Sequence, residues 1–305
     1  MSLYAALAPH GPSGFGYGST AEEVTEGLSL AGRTILLTGC NSGLGHEAMR
    51  VLALRGATVV GTARTLEKAT AAGQAVQGKT IPLACELSDP ASVRACTQQV
   101  RDLGLTLDAI LCNAGIMALP KLEWQHGYEA QFFTNHIGHF LLVTGLLDQL
   151  ADDGRVVILS SAAHRMAPKG GIAFDNLKGD KGYQAWSAYG QSKFADLLFA
   201  KELARRFAGT SRTANAVHPG VIATNLLRHL GLGTRLAWGL GGLLAFKSIP
   251  QGAATEVYAA VHPALAGMSG LYLADCNVSR ARADADDAET ARRLWQVSEE
   301  IVASL

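Results

Sequence analysis

Tyr189 and Lys193 stand four residues apart in the helix-compatible stretch Ser187-Ala188-Tyr189-Gly190-Gln191-Ser192-Lys193, a spacing that puts a phenol and an ammonium on one helix face. A free tyrosine, with a pKa near 10, is a poor acid or base at neutral pH, but a fixed ammonium beside it favours the phenolate. Lowering that pKa by about three units takes roughly 4 kcal/mol of electrostatic work, part of which Lys193 can supply. The same spacing also suits an ordinary solvated helix face, so its meaning depends on what surrounds it.

The chain offers a regular frame for such a pair. Apolar runs at 34–37, 58–61, 80–84, 107–111, 155–159 and 213–217 alternate with longer helical stretches. These runs lack clean polar alternation, as strands covered on both sheet faces do. Strands separated by helical crossovers predict right-handed βαβ units and an α/β, doubly wound, mostly parallel sheet with helices on both faces. A run at 270–273 is expected to add a seventh strand at the edge. Residues 1–30 read as an N-terminal arm and 31–305 as a single domain, within which 221–247 is the expected substrate lid, built of two or three short helices.

Composition excludes several classes of partner. Lys+Arg and Asp+Glu balance at 26 each, so no net field draws nucleic acid or an anionic membrane. The five cysteines, Cys40, Cys85, Cys96, Cys112 and Cys276, are scattered without a Cys-x-x-Cys pair and read as free thiols of a reducing compartment. The first 20 residues lack the basic start and unbroken apolar core of a secretory signal, and no apolar run is long enough to span a bilayer. A cytoplasmic protein is expected.

Directly after the first strand comes Thr38-Gly39-Cys40-Asn41-Ser42-Gly43-Leu44-Gly45, then a helical stretch over 46–55. Glycine lets backbone approach a pyrophosphate closely, and a helix N-terminus offers it unsatisfied amides. A glycine cluster between a strand and a helix at the start of a βαβ unit is the context of a dinucleotide site, and it makes the fold Rossmann-type.

The spacing Gly-x-x-x-Gly-x-Gly, together with Tyr189 and Lys193, resembles the short-chain dehydrogenase/reductase family from about residue 33 to 276. By that resemblance, Asn113-Ala114-Gly115 after the fourth strand supports the adenine side of the cofactor, with Leu87 beside it. Asn135, in Thr134-Asn135-His136-Ile137-Gly138-His139-Phe140, matches the catalytic asparagine, and Ser161 of Ser160-Ser161 matches the catalytic serine. His218-Pro219-Gly220 with Val221 and Thr224 matches the segment that reaches the nicotinamide carboxamide. Where the family usually has an aspartate for the adenine, this chain has Glu86 in Cys85-Glu86-Leu87-Ser88.

Arg64 bears on the choice of cofactor. An acidic residue about 20 positions beyond the glycine turn binds the ribose hydroxyls and repels a 2′-phosphate, whereas an arginine accepts it. The second strand ends Gly61-Thr62-Ala63-Arg64, with no carboxylate, and Arg64 can make charge-assisted bonds to phosphate. NADP(H) is therefore the expected cofactor and NAD(H) the other candidate.

The implied chemistry moves a hydride between nicotinamide and an apolar aldehyde, ketone or alcohol, as carbonyl reductases and alcohol dehydrogenases do. Tyr189 is the expected acid/base and Ser161 a hydrogen-bond donor to the developing alkoxide. Lys193 is expected to depress the pKa of Tyr189 and to bind the nicotinamide ribose. By resemblance Asn135 helps hold a water linking Lys193 to solvent. His164 and Met166, and Leu226 and Trp238 of the lid, are candidate substrate residues. His136 and His139 lack a matched third ligand, so no metal is expected.

Asn41-Ser42, the Asn-His-x-Gly-His-Phe run, the long interval from Ser161 to Tyr189 and Leu271-Tyr272-Leu273-Ala274-Asp275-Cys276 resemble one branch of the family. That branch holds retinol dehydrogenase-like, WW-domain oxidoreductase-like and protochlorophyllide reductase-like enzymes. Two other readings use the same residues: an epimerase or dehydratase-type relative, and an NADPH-binding sensor without turnover. The apolar stretches 132–150 and 194–207 are those through which family members often pair, which implies a homodimer or homotetramer; burial against their own sheet is the alternative.

Overall fold

The computed structural model describes residues 3–222 and 246–305. Ten strands are described there: β1 (Thr34–Thr38), β2 (Thr58–Ala63), β3 (Lys79–Ala84), β4 (Leu107–Cys112), β5 (Trp124–Gln125), β6 (Tyr128–Glu129), β7 (Leu150–Leu159), β8 (Thr213–His218), β9 (Tyr272–Ala274) and β10 (Asn277–Val278). Eight of them form one sheet in the order β10-β9-β8-β7-β4-β1-β2-β3, and β5 and β6 pair as a separate hairpin. Seven of the eight run parallel; β10 alone is antiparallel to its neighbour.

The sheet therefore has eight strands where seven are expected, and the strand expected at 270–273 is not its edge. Asp275 and Cys276, with φ of 52° and 60°, turn the chain back so that Asn277 and Val278 pair with Ala274 and Leu273. Two residues are too few to show any alternation in sequence.

Helices cover both faces. Among the described residues, in chain order, they are α1 (Leu3–Leu7), α2 (Gly43–Leu54), α3 (Leu66–Gln74), α4 (Pro90–Asp102), α5 (Ala130–Phe132), α6 (Gly138–Thr144), α7 (Ala185–Arg206), α8 (Ile249–Val261) and α9 (Ala288–Ala303). A single π-helical turn, Phe133–Ile137, joins α5 to α6. Local chemistry sets several starts: Thr65 caps α3 through Lys68 N, and Asp89 caps α4 ahead of Pro90, whose missing N–H costs nothing at that position.

Alternate residues of β1 divide the core. Leu36 joins Val60, Ile110, Phe140 and Leu198 on one face, while Ile35 and Leu37 join Val59, Met49, Leu52 and Val257 on the other. On the first face α9 lies over the helices that the sequence offers for pairing, with the Trp295 ring 4.9 Å from Phe140 and 5.7 Å from Phe199. On the second face the arm straps α8: Ala21 N donates to Pro250 O, and Gln251 Nε2 donates to Gly18 O. Asn277 binds the arm again, through Ser13 N and Phe15 O.

Close packing of α7 positions everything that follows. A Cβ at Gly190 would sit 2.6 Å from Ala163 O and 2.7 Å from Ala167 N, so glycine is what lets the helix lie against the 3-10 turn Ala162–Met166. Ser160 Oγ donates to Lys193 O at 2.7 Å and pins the end of β7 to the same helix.

One buried group works against the fold. Glu256 on α8 is 1% exposed, its Oε1 has no hydrogen-bond partner, and burial pushes its carboxyl up to about 8. Its folded pKa is thus raised above that of an unfolded glutamate, so its contribution to stability is fully present at low pH and is lost as pH rises through about 8. Glu256→Gln should melt at nearly the native temperature around pH 4.5 and progressively higher than native toward pH 8, as followed by circular dichroism.

Candidate active site

The strand ends β1, β4 and β7 and the N-termini of α2 and α7 converge on one site. In the glycine turn, Gly39 and Gly43 adopt φ of 73° and 56°, a region open to glycine. A Cβ at Gly45 would sit 2.5 Å from Asn113 Nδ2 and would overlap Gly39 O. Ser42, beside Asn41, occupies the N-cap of α2 without a side-chain cap, so its hydroxyl and the first-turn amides of Gly43, Leu44 and Gly45 are not spent on each other. This cradle fits a pyrophosphate.

Thr38 ties the cradle to β4. Its hydroxyl oxygen accepts from Asn113 N at 2.9 Å and Ala114 N at 3.0 Å, while Asn113 Nδ2 donates to Thr38 O at 2.8 Å. The same hydroxyl lies 2.9 Å from His139 Nε2. His139 Nδ1 is 2.7 Å from Asn135 O, an acceptor, so Nδ1 carries the proton and Nε2 accepts from Thr38. Burial lowers the imidazole pKa to about 4 and keeps it neutral.

Arg64, just past β2, is exposed and makes no ion pair among the described residues. At the end of β3, Glu86 Oε1 accepts from Ser88 N and Ser88 Oγ, so one of its carboxylate oxygens is engaged locally. Leu87 is buried, and its carbonyl lies so close under Gly138 that a Cβ there would overlap it.

Asn135 sits in the π-helical turn, a distortion that recurs at functional sites. Its side chain closes a ring with Ile116, Oδ1 accepting from Ile116 N at 2.8 Å and Nδ2 donating to Ile116 O at 2.9 Å. Nδ2 also reaches Ser192 Oγ, which donates to Tyr189 O. A Cβ at Gly115 would lie 3.0 Å from Asn135 Oδ1 and 3.6 Å from Lys193 Nζ, which places the ammonium beside Asn135. Lys193 is 4% exposed and donates to Leu159 O at 2.8 Å and to Asp196 Oδ2 at 2.9 Å. Burial acts to lower its pKa, but Asp196 and then Tyr189 raise it above the ordinary lysine value.

A cavity of about 490 Å³ opens in front of these groups. Ser161, Tyr189 and Lys193 line it together with Leu44, Asn113, Gly115, Met166, Pro219, Gly220 and Val221. Ser161 Oγ also accepts from Ala163 N, so it caps the following turn while facing the cavity. Of the expected substrate residues, Met166 lies on the wall, half exposed. His164 does not: it is fully buried, its Nε2 accepts from Arg282 N at 3.1 Å and its Nδ1 therefore donates to Ser161 O. It braces the turn from behind because the segment after β10 returns to that spot. Thr224, Leu226 and Trp238 lie outside the described residues, as does most of the expected lid.

Several residues of the site were not singled out by sequence. Trp186, one turn before Tyr189 and 6.1 Å from its ring, and Met117 make the cavity wall more apolar. Spacing could have found Trp186, since i and i+3 share a helix face. Asp196 could have been found the same way, three residues beyond Lys193. Lys247, by contrast, is brought under Gly220 by the return of the chain, where it lies 2.6 Å from Asp275 Oδ1.

Known proteins resemble this chain in sequence and in architecture. A family model described as short chain dehydrogenase matches residues 33–233. The chain is similar to short-chain dehydrogenase TIC 32 B, chloroplastic, of Brassica napus, 41% identical over 320 residues and covering 100% of both chains. It is 39% identical over 285 residues to retinol dehydrogenase 12 of Mus musculus, covering 91% of this chain and 89% of that one. A crystal structure of a putative uncharacterized protein from Mycobacterium paratuberculosis superposes with a TM-score of 0.76 at 34% identity, covering 92% of this chain and 97% of that chain.

The two amides on Thr38 give a direct test of the cradle. Thr38→Val keeps the shape and removes their acceptor, which should cost about 1–3 kcal/mol, measured as a lower midpoint in urea unfolding.

Proposed function

The chain belongs to the short-chain dehydrogenase/reductase family, in its retinol dehydrogenase-like branch, and from that premise we propose an NADP(H)-dependent enzyme that interconverts apolar carbonyls and alcohols. Enzymes of this family are oxidoreductases that bind a nicotinamide cofactor. The observation that carries the reading is the shared cavity of Ser161, Tyr189 and Lys193, with Asn135 fixed behind it.

When bound, the nicotinamide supplies the hydride in reduction and takes it in oxidation. In reduction, Tyr189 donates a proton to the carbonyl oxygen; in oxidation it removes one from the alcohol. Ser161 hydrogen-bonds that oxygen as charge develops on it, a contribution of a few kcal/mol for a preorganised donor. Lys193 holds a positive charge near the phenol and is the group set to bind the nicotinamide ribose. Asn135 acts by position: its amide is committed to Ile116 and Ser192, and its carbonyl accepts from His139, so it fixes the wall on which Lys193 rests.

Thr38 and the cradle Gly39, Asn41, Ser42, Gly43, Leu44 and Gly45 would hold the pyrophosphate. Glu86, Leu87, Asn113, Ala114 and Gly115 would flank the adenine side, and Pro219, Gly220 and Val221, with Thr224, the carboxamide. The apolar wall of Met117, Met166, Trp186 and Val221 supports an apolar substrate, in keeping with the name of the mouse relative. We read residues 31–305 as one catalytic domain strapped by the arm, with 221–247 as the lid. Five buried free cysteines support a reducing compartment, and we propose the cytoplasm; no helix among the described residues is long and apolar enough to cross a membrane.

Two variants test this. Arg64→Ala should raise the KM for NADPH at least tenfold and that for NADH far less, because only NADPH carries the phosphate the guanidinium would bind; equal changes would reverse the assignment. Tyr189→Phe should lose at least a hundredfold in kcat toward apolar aldehydes while still quenching its tryptophan fluorescence on binding cofactor. Cofactor binding by the native chain with no oxidation across a broad panel of such carbonyls would instead favour a sensor.

A further inference from the structure

Asp196 lies one turn beyond Lys193 on α7, and its side chain is 1% exposed. Its Oδ2 accepts from Lys193 Nζ at 2.9 Å. Its Oδ1 has no hydrogen-bond partner and stands 4.0 Å from His136 Nδ1, which has none either. The proton positions follow from the neighbours. Ser298 Oγ donates to Leu294 O, so His136 Nε2 donates to Ser298 Oγ, and Nδ1 is left as a bare lone pair facing the carboxylate. His136 therefore offers the carboxylate no charge and no proton.

The other titratable groups around the pair are as mute. His139 from α6 is neutral, and burial pushes the Cys112 thiol on β4 well above its ordinary value. Burial likewise lowers the His136 pKa to about 3. Among the described residues the charge of Asp196 thus has one cationic partner, Lys193, and Tyr189 stands one turn earlier on the same helix.

We propose that Asp196 is a positioning residue for the Tyr189–Lys193 couple: it anchors the ammonium against Leu159 O, and its negative charge raises the pH at which the couple gives up a proton. This rests on the reading of Tyr189 as the acid and Lys193 as its charged neighbour. An anion buried one turn from Lys193 and two turns from Tyr189 on the same helix makes the loss of a proton from the couple harder, whichever member loses it. Burial, opposed by Lys193, brings the carboxyl itself up to about 6, so it is ionised at alkaline pH.

Carbonyl reduction needs Tyr189 protonated and Lys193 charged, so removing the anion must move the alkaline limb of that reaction to lower pH. The test is the pH profile of kcat/KM for reduction of an apolar aldehyde by full-length native protein, Asp196→Asn and Tyr189→Phe. For Asp196→Asn the alkaline limb should fall by about one pH unit or more, a roughly tenfold loss of rate above it. A limb that superimposes on the native one, or moves up, overturns the role of Asp196. Full activity in Tyr189→Phe overturns the reading of the site beneath it, whatever the limb does. Should Asp196→Asn fail to fold, the native protein still decides. With carbon-13-labelled lysine, Lys193 should keep its proton above the ordinary lysine pKa of about 10.4, and titration below that value overturns the proposal.

Discussion

A lysine ammonium held at 4% exposure is the constraint on which this site turns. An unpaired charge of that kind would shed its proton, because burial penalises the charged form by several kcal/mol. Here a carbonyl from the end of β7 and a carboxylate from the next turn of α7 both accept from Lys193 Nζ. Keeping the ammonium requires the strand end and the helix to be locked together. Ser160, whose hydroxyl reaches Lys193 O, and Gly190, whose missing Cβ allows contact with the 162–166 turn, do that locking.

The rest of the site is arranged from the same junction outward. The π-helical turn brings Asn135 beside the ammonium, and Asn135 fixes Ile116 and Ser192. Its carbonyl accepts from His139, which in turn accepts a hydrogen bond from the Thr38 hydroxyl, and Thr38 holds the start of the loop after β4. A hydrogen-bonded chain therefore runs from the glycine turn to α7 through Thr38, His139, Asn135 and Ser192. Networks of this sort rigidify a site when complete. A gap is left at its α7 end, where neither His136 Nδ1 nor Asp196 Oδ1 has a hydrogen-bond partner, at the group to which we assign control of the couple.

Much of this was legible from residue order. The βαβ rhythm fixes seven parallel strands, the glycine turn follows the first, and Ser161 and Lys193 come to one cavity as their motifs imply. Other features were not. The eighth strand rests on two left-handed residues, Asp275 and Cys276, that carry no pattern. His164 follows Ser161 closely in sequence, yet Arg282, 118 residues later, turns it into a brace instead of a wall. The partners of Asn135 also come from other elements, Ile116 before it and Ser192 of α7 after it, which spacing does not show.

What the sequence determined by itself is local and periodic: which segments are strands or helices, where glycine must stand, and that Tyr189 and Lys193 share a helix face. Those follow from spacing and from the backbone freedom of single residues. The tertiary structure decided which charges are buried and with whom, because burial depends on segments far apart in the chain. It made Asp196 the partner of Lys193 and left His136 neutral. It also laid α9 over the apolar helices and placed Trp186 and Met117 on the cavity wall. Periodicity gives direction around one element, whereas the electrostatics of a site depend on every element that excludes water from it.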